Sequence, residues 1–174
     1  MSDGGSLRQT ALVELHRGLG ARLIEFGGWE MPVQYSGIIE EHRAVRSAAG
    51  LFDLGHMGQV MVSGPDAERF LNWVATNDVR TLAPGQAHYS LLCRPDGGVI
   101  DDILIYRLPD AGHYLVVVNA SNTEKDVSWL SERRAERPEW QVTLRDASAE
   151  TMMLALQGPR AVAILQPLTP LDLD

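Results

Sequence analysis

Apolar residues recur in two rhythms along this chain, and the change between them near Gly58 divides it. Over residues 7–18, Leu7, Ala11, Leu12, Leu15 and Leu19 follow helical spacing, and Gly18 and Gly20 are placed to end that helix. A short strand is expected over 21–26, then a loop, Gly27-Gly28-Trp29-Glu30-Met31-Pro32, and a second helix over 37–48 closed by Gly50. Residues 51–57 read as a connector dense in His, Asp and Gly.

Beyond Gly58, short alternating runs appear between two amphipathic stretches. The pattern predicts a strand over 59–63, a helix over 65–74 with Pro65 at an early position, and a strand over 87–93. Pro95-Asp96-Gly97-Gly98 makes a hairpin into a strand over 99–108, followed by a strand over 114–119, a helix over 122–134 and a strand over 141–145. One more apolar strand, 151–157, leads into a helix opened by Gly158-Pro159-Arg160 and running to Leu165. The fold class is therefore α+β: antiparallel sheets with covering helices, in which residues 58–146 form a ferredoxin-like βαβββαβ subdomain. Residues 1–57 hold too few elements to bury a core alone, so they are expected to join residues 147–174 in a discontinuous first domain that is incomplete.

Composition narrows the classes of partner. In 174 residues, 45% apolar and 22% charged, a formal charge of −8 disfavours nucleic acid and anionic membrane surfaces. Arg133, Arg134 and Arg137 alternate with Glu132, Glu136 and Glu139, which reads as a solvated helix face. Cys93 is the sole cysteine; it permits no intrachain disulfide, fits a reducing compartment, and is expected to act as a small buried hydrophobe. His16, His42, His56, His88 and His113 lack paired ligand spacing, so no metal site is expected. Neither a signal peptide nor an apolar run approaching the roughly 20 residues of a membrane span is present, and a cytoplasmic location is expected.

The strongest chemical lead is Asp101-Asp102, set within the apolar run Val99-Ile100-Asp101-Asp102-Ile103-Leu104-Ile105-Tyr106. Strand side chains alternate, so one carboxylate shares a face with Val99, Ile103 and Ile105, and the other with Ile100, Leu104 and Tyr106. Burying an unpaired carboxylate costs several kcal/mol, which calls for a ligand or a donor network. Asn119 ends the apolar run Val116-Val117-Val118 and can donate and accept at once, or cap the helix that follows. Met57, between small residues, suits contact with a flat ring. A face bearing Asp102, Leu104 and Tyr106 beside a strand ending at Asn119 fits a planar nitrogen heterocycle or a cation.

Six ordered motifs carry a resemblance: Phe26-Gly27-Gly28-Trp29-Glu30-Met31-Pro32, Phe52-Asp53-Leu54-Gly55-His56-Met57, Gly97-Gly98-Val99-Ile100-Asp101-Asp102, Val118-Asn119-Ala120, Glu124-Lys125-Asp126 and Leu154-Ala155-Leu156-Gln157-Gly158-Pro159. In order and spacing they resemble the aminomethyltransferase family, the T-protein of the glycine cleavage system. The resemblance implies transfer of the methylene held on the lipoyl arm of the carrier H-protein to tetrahydrofolate, with release of ammonia. It implies Asp102 as the catalytic residue that engages the folate, Asn119 as the reader of the pterin, and Met57, Tyr89, Leu104, Tyr106 and Val117 as lining of the folate cavity. Asp102→Asn is then expected to depress turnover far more than Asp101→Asn. Family members are about twice as long, so the chain reads as an N-terminal part that lacks further folate contacts, and Leu54-Gly55-His56 departs from the usual Val-Ser-His. Two rival readings are a non-catalytic folate-binding module of the iron-sulfur maintenance type and a folate-coupled demethylation module of dimethylglycine or sarcosine oxidising enzymes.

Overall fold

The structure, a computed structural model, describes residues 6–173. In chain order the elements are β1 (Arg8–Gln9), α1 (Val13–Gly18), β2 (Arg22–Phe26), β3 (Trp29–Gln34), α2 (Ile38–Ser47), β4 (Gly50–Asp53), β5 (Gly58–Ser63) and α3 (Ala67–Val74). They continue with β6 (Ala87–Cys93), β7 (Val99–Arg107), β8 (His113–Val118), α4 (Thr123–Ala135), β9 (Thr143–Asp146), β10 (Leu154–Gln157) and α5 (Ala161–Leu165). The chain divides into two compact units, one running from Met57 to Thr151 and the other made of the residues before and after it.

The continuous unit is a five-stranded sheet in the order β6-β7-β8-β5-β9, with every neighbouring pair antiparallel. Its β-α-β-β-β-α-β order is the expected ferredoxin-like plan with one added strand, and both helices pack on one face. Val60 and Val62 of β5, Ile103 and Ile105 of β7, and Val116 and Val118 of β8 meet Phe70 and Leu71 of α3 and Leu130 of α4 there. Each large side chain fully buried in this way contributes about 1.5–3 kcal/mol, so this face supplies the main core.

The discontinuous unit holds a three-stranded sheet, β1-β3-β2, and the antiparallel pair β4-β10. Its buried apolar side chains are sparse: Val13 and Met31 are the two below one-tenth exposure among the described residues, and neither α2 nor α5 buries a side chain. Polar groups form a tight knot instead. His16 lies between Tyr35 Oη (2.7 Å) and Asp53 Oδ2 (2.9 Å), and Thr10 donates to the same Asp53 oxygen at 2.5 Å. Burial pushes Asp53 up, but these donors and the Gly55 N–H outweigh it and hold its carboxyl below the ordinary range.

Several expected elements differ. The first helix is shorter than 7–18, because Arg8 and Gln9 pair in parallel with Trp29 and Glu30 of β3, and Leu15 and Leu19 are exposed. The expected loop over 27–32 is a hairpin: Gly27 and Gly28, at φ 58° and 83°, form a two-residue turn that brings Phe26 opposite Trp29. The expected connector over 51–57 contains β4, whose partner β10 lies about a hundred residues away and leaves no local signal. The arginine cluster is not a solvated face. Arg137 stacks 4.6 Å from the Trp73 ring centre, Arg133 5.7 Å from that of Trp129, and Arg134 Nε donates to the Val142 carbonyl at 2.9 Å. Guanidinium groups are flat and weakly hydrated, so they cover tryptophan rings where lysines would seek water. Cys93 is half-buried and free rather than a core hydrophobe, since it follows the register shift at the end of β6.

Candidate folate site

Strand alternation separates the twin carboxylates. Asp101 pairs across the ladder with Leu92 and lies on the helix-covered face at 4% exposure; Asp102 pairs with Leu91 and lies on the opposite face, where it is exposed. The register gathers the expected site residues on that opposite face. Tyr89 faces Leu104, Leu104 faces Val117, and Tyr106 faces Leu115, so Tyr89, Leu104 and Val117 form a row across three strands with Asp102 and Tyr106 flanking it. Gly58 pairs with Val118, which sets Met57 opposite Asn119 one step beyond the ladder. Val117 is buried, Met57, Leu104 and Tyr106 are half-buried, and Tyr89 is 71% exposed, a ring presented edge and face to whatever approaches.

Asn119 joins the two carboxylates. Its Nδ2 donates to Asp101 Oδ1 at 2.9 Å, to the Asp102 carbonyl at 3.0 Å and to Asp102 Oδ1 at 3.2 Å. With two hydrogens for three acceptors, one N–H serves Asp101 and the other is shared by Asp102. This amide is therefore not a helix cap; Asn122 occupies the cap position of α4 and turns its own Nδ2 to Asp101 Oδ1 at 2.6 Å. Asp102 keeps its remaining carboxylate capacity for an external donor.

Of the seven expected residues, Tyr89 and Asp102 share an open depression of about 360 Å³ with Thr76, Asn77, Ser90 and Leu91. Met57, Leu104, Tyr106, Val117 and Asn119 lie on the same sheet face outside its lining. A larger cavity of about 480 Å³, lined by Met31, Val33, Tyr35, Ile38, Phe52 and Asp53 among others, lies in the discontinuous unit and contains none of the seven. Among the described residues no group of three or more His, Cys, Asp or Glu side chains could hold a metal ion, and no helix is long and apolar enough to cross a membrane.

Behind the site, Asp101 accepts from the Asn119 N–H at 3.0 Å as well as from the two amides, and Asp126 of α4 lies against it at 0% exposure. Burial alone would push Asp101 up, yet the donors from Asp126, Asn119 and Asn122 hold its carboxyl below the ordinary range. Burial, then the hydrogen bond to Asp101 and its charge, push Asp126 up to about 8, against a weaker pull from Lys125. The Lys125 ammonium donates to the Ile100 carbonyl at 2.6 Å. Asp126 and Asn122 are not among the site residues expected from the sequence. The sequence carries a signal for Asp126 in its spacing: Thr123, Asp126 and Leu130 fall on one helical stripe with an acid in its middle, and the structure buries all three.

Known proteins resemble the chain over nearly its whole length. Residues 12–174 match the family model described as the GCVT N-terminal domain. The aminomethyltransferase of Symbiobacterium thermophilum is 56% identical over 163 residues, covering 94% of this chain and 43% of that protein. That of Desulforamulus reducens is 52% identical over 168 residues, covering 97% and 45%. The crystal structure of glycine cleavage system aminomethyltransferase T from Bartonella henselae superposes with a TM-score of 0.85 at 37% identity, over 93% of this chain and 44% of that one. The chain thus spans less than half the length of the relatives it matches. The chain belongs to the GCVT N-terminal domain family.

Proposed function

We propose that this chain is the folate-binding part of an aminomethyltransferase of the glycine cleavage system, acting in the cytoplasm with the lipoylated H-protein as donor and tetrahydrofolate as acceptor. The observation that carries the reading is the pairing of Asn119 with Asp102 on a sheet face that also bears Tyr89, Leu104, Tyr106, Val117 and Met57. A pterin presents an edge of N–H donors and carbonyl acceptors and two flat faces. A carboxylate can accept from that edge, and tyrosine, methionine and aliphatic side chains can cover the faces.

In this reading a tetrahydrofolate nitrogen attacks the methylene carbon of the aminomethyl-lipoyl arm. A second folate nitrogen then closes on the same carbon, so that two carbon–nitrogen bonds form as the bonds to the departing ammonia and to the lipoyl sulfur break. The sulfur keeps its electron pair, and the two protons shed by the folate nitrogens go to the ammonia and to the sulfur, restoring the dihydrolipoyl arm. Asp102 orients the reacting nitrogen through a hydrogen bond and stabilises the positive charge that grows on it. The two rival folate modules would use the same sheet face; what favours this reading over them is that the relatives named above carry the aminomethyltransferase name.

Isothermal titration of the chain with tetrahydrofolate tests the proposal. Saturable binding is expected, weakened about tenfold or more in Asp102→Asn, in line with the loss of a charge-assisted hydrogen bond. Absence of binding, or equal affinity in the variant, would overturn it.

A further inference from the structure

Asp126 takes no part in the chemistry above, yet it is a fully buried acid whose oxygens receive no hydrogen bond from a neighbouring N–H or O–H. Its neighbour Asp101 is itself an acceptor, already served by the Asn119 N–H, Asn119 Nδ2 and Asn122 Nδ2. Two acceptors in contact, away from water, are compatible only if one carries a proton. Asp101 is the one surrounded by donors, so the proton resides on Asp126. The charged group that bears on the pair is Lys125 on α4; Asp102 of β7 is joined to Asn119 on its other side.

We propose that Asp126 is a positioning residue: as a neutral acid it donates to Asp101, Asp101 fixes Asn119, and Asn119 holds Asp102 on the folate face. The relay spans α4, β7 and the end of β8, and a loss of its proton sets two carboxylates against each other behind Asn119. The expected consequence is a loosened Asn119 side chain and a mobile Asp102. Asp126→Asn keeps the relay, because an amide N–H can donate to Asp101 as the acid does. Asp126→Ala breaks it.

The link to Asp102 as folate ligand rests on the function proposed above, so the test has two arms. In the first, the Asn119 side-chain amide is followed by NMR against pH without folate. In the wild type it is expected to titrate with a midpoint near 8, the value of Asp126, and in Asp126→Asn to stay flat. A flat response in the wild type, or the same titration in Asp126→Asn, would overturn the relay. In the second arm tetrahydrofolate affinity is measured across the same range. The wild type is expected to weaken about tenfold above that midpoint, Asp126→Asn to hold its affinity at all pH values, and Asp126→Ala to be weak throughout. Should Asp126→Ala not fold, the wild type and Asp126→Asn decide the matter between them. Absence of tetrahydrofolate binding at every pH would sink the functional reading alone, since the first arm needs no folate.

Discussion

The ionisation of Asp126 is coupled to folding. Its folded value, pushed up to about 8, stands above its ordinary 3.8, so between those limits the folded chain holds a proton that the unfolded chain has lost. The stability this group contributes is therefore full below about pH 4 and drains as pH rises toward 8, at up to about 1.4 kcal/mol per pH unit. Asp101 is held low and acts in the opposite sense: its contribution is present above its ordinary value and is lost as pH falls through its folded value. Denaturant melts of the wild type should show the midpoint falling from about pH 5 to about pH 8, and Asp126→Asn should flatten that slope. Parallel slopes for the two proteins would contradict the assignment.

Asp101 and Asp102 should also separate by kind of effect. Asp101→Asn turns an amide toward the Nδ2 donors of Asn119 and Asn122, leaving buried donors unpaired, and is expected to cost about 1–3 kcal/mol of stability. Asp102→Asn, on an exposed side chain, should stay within about 0.5 kcal/mol of the wild type while losing folate affinity. Thermal melts of both variants beside tetrahydrofolate titrations check this. The split refines the sequence expectation, which weighed the two acids by turnover only. Alternation shows that they occupy opposite faces, but not which face is covered, because both faces of the run are apolar.

At the scale of elements, the junction of β5, β8 and α4 decides whether Asn119 is well placed. A Cβ on Gly58 would come within 2.5 Å of both Thr123 Oγ1 and Val118 Cγ2, the residues that begin α4 and end β8. Gly58→Ala should therefore force these apart, lower stability by about 1–3 kcal/mol and weaken folate binding together. A variant as stable as the wild type would show that the junction is looser than described. Elements made by local periodicity were legible in the sequence: β6 begins and ends where alternation placed it, and α3, β7, β8 and α4 fall within two residues at each end. Elements made by distant pairing were not. β1 and β4 owe their existence to β3 and β10, and no pattern within a two- or four-residue strand announces that. The arginine stack failed for a similar reason, since its tryptophan partner Trp73 lies on α3, far from Arg137 in the chain.

Across the molecule the two units differ in how their apolar surface is used. The sheet of β5 to β9 owns a continuous core, whereas Ile38, Ile39, Leu51 and Phe52 of the discontinuous unit stand exposed and no side chain of α2 or α5 is fully buried. Hydrogen exchange should therefore be slowest in β5, β7 and β8 and faster by orders of magnitude in α2 and α5, and a hydrophobic dye should bind the chain in its folded state. Uniform protection without dye binding would contradict this contrast. The candidate site belongs to the well-packed unit, where sheet register orders its strand residues.

The central claim is that Asp102 and Asn119 mark a folate face on that sheet. Titration of tetrahydrofolate into isotopically labelled chain, read by NMR, tests it most directly. The account predicts shifts concentrated at Tyr89, Asp102, Leu104 and the Asn119 side-chain amide; shifts confined to Tyr35, Ile38 and Phe52 around the other cavity, or none at all, would contradict it.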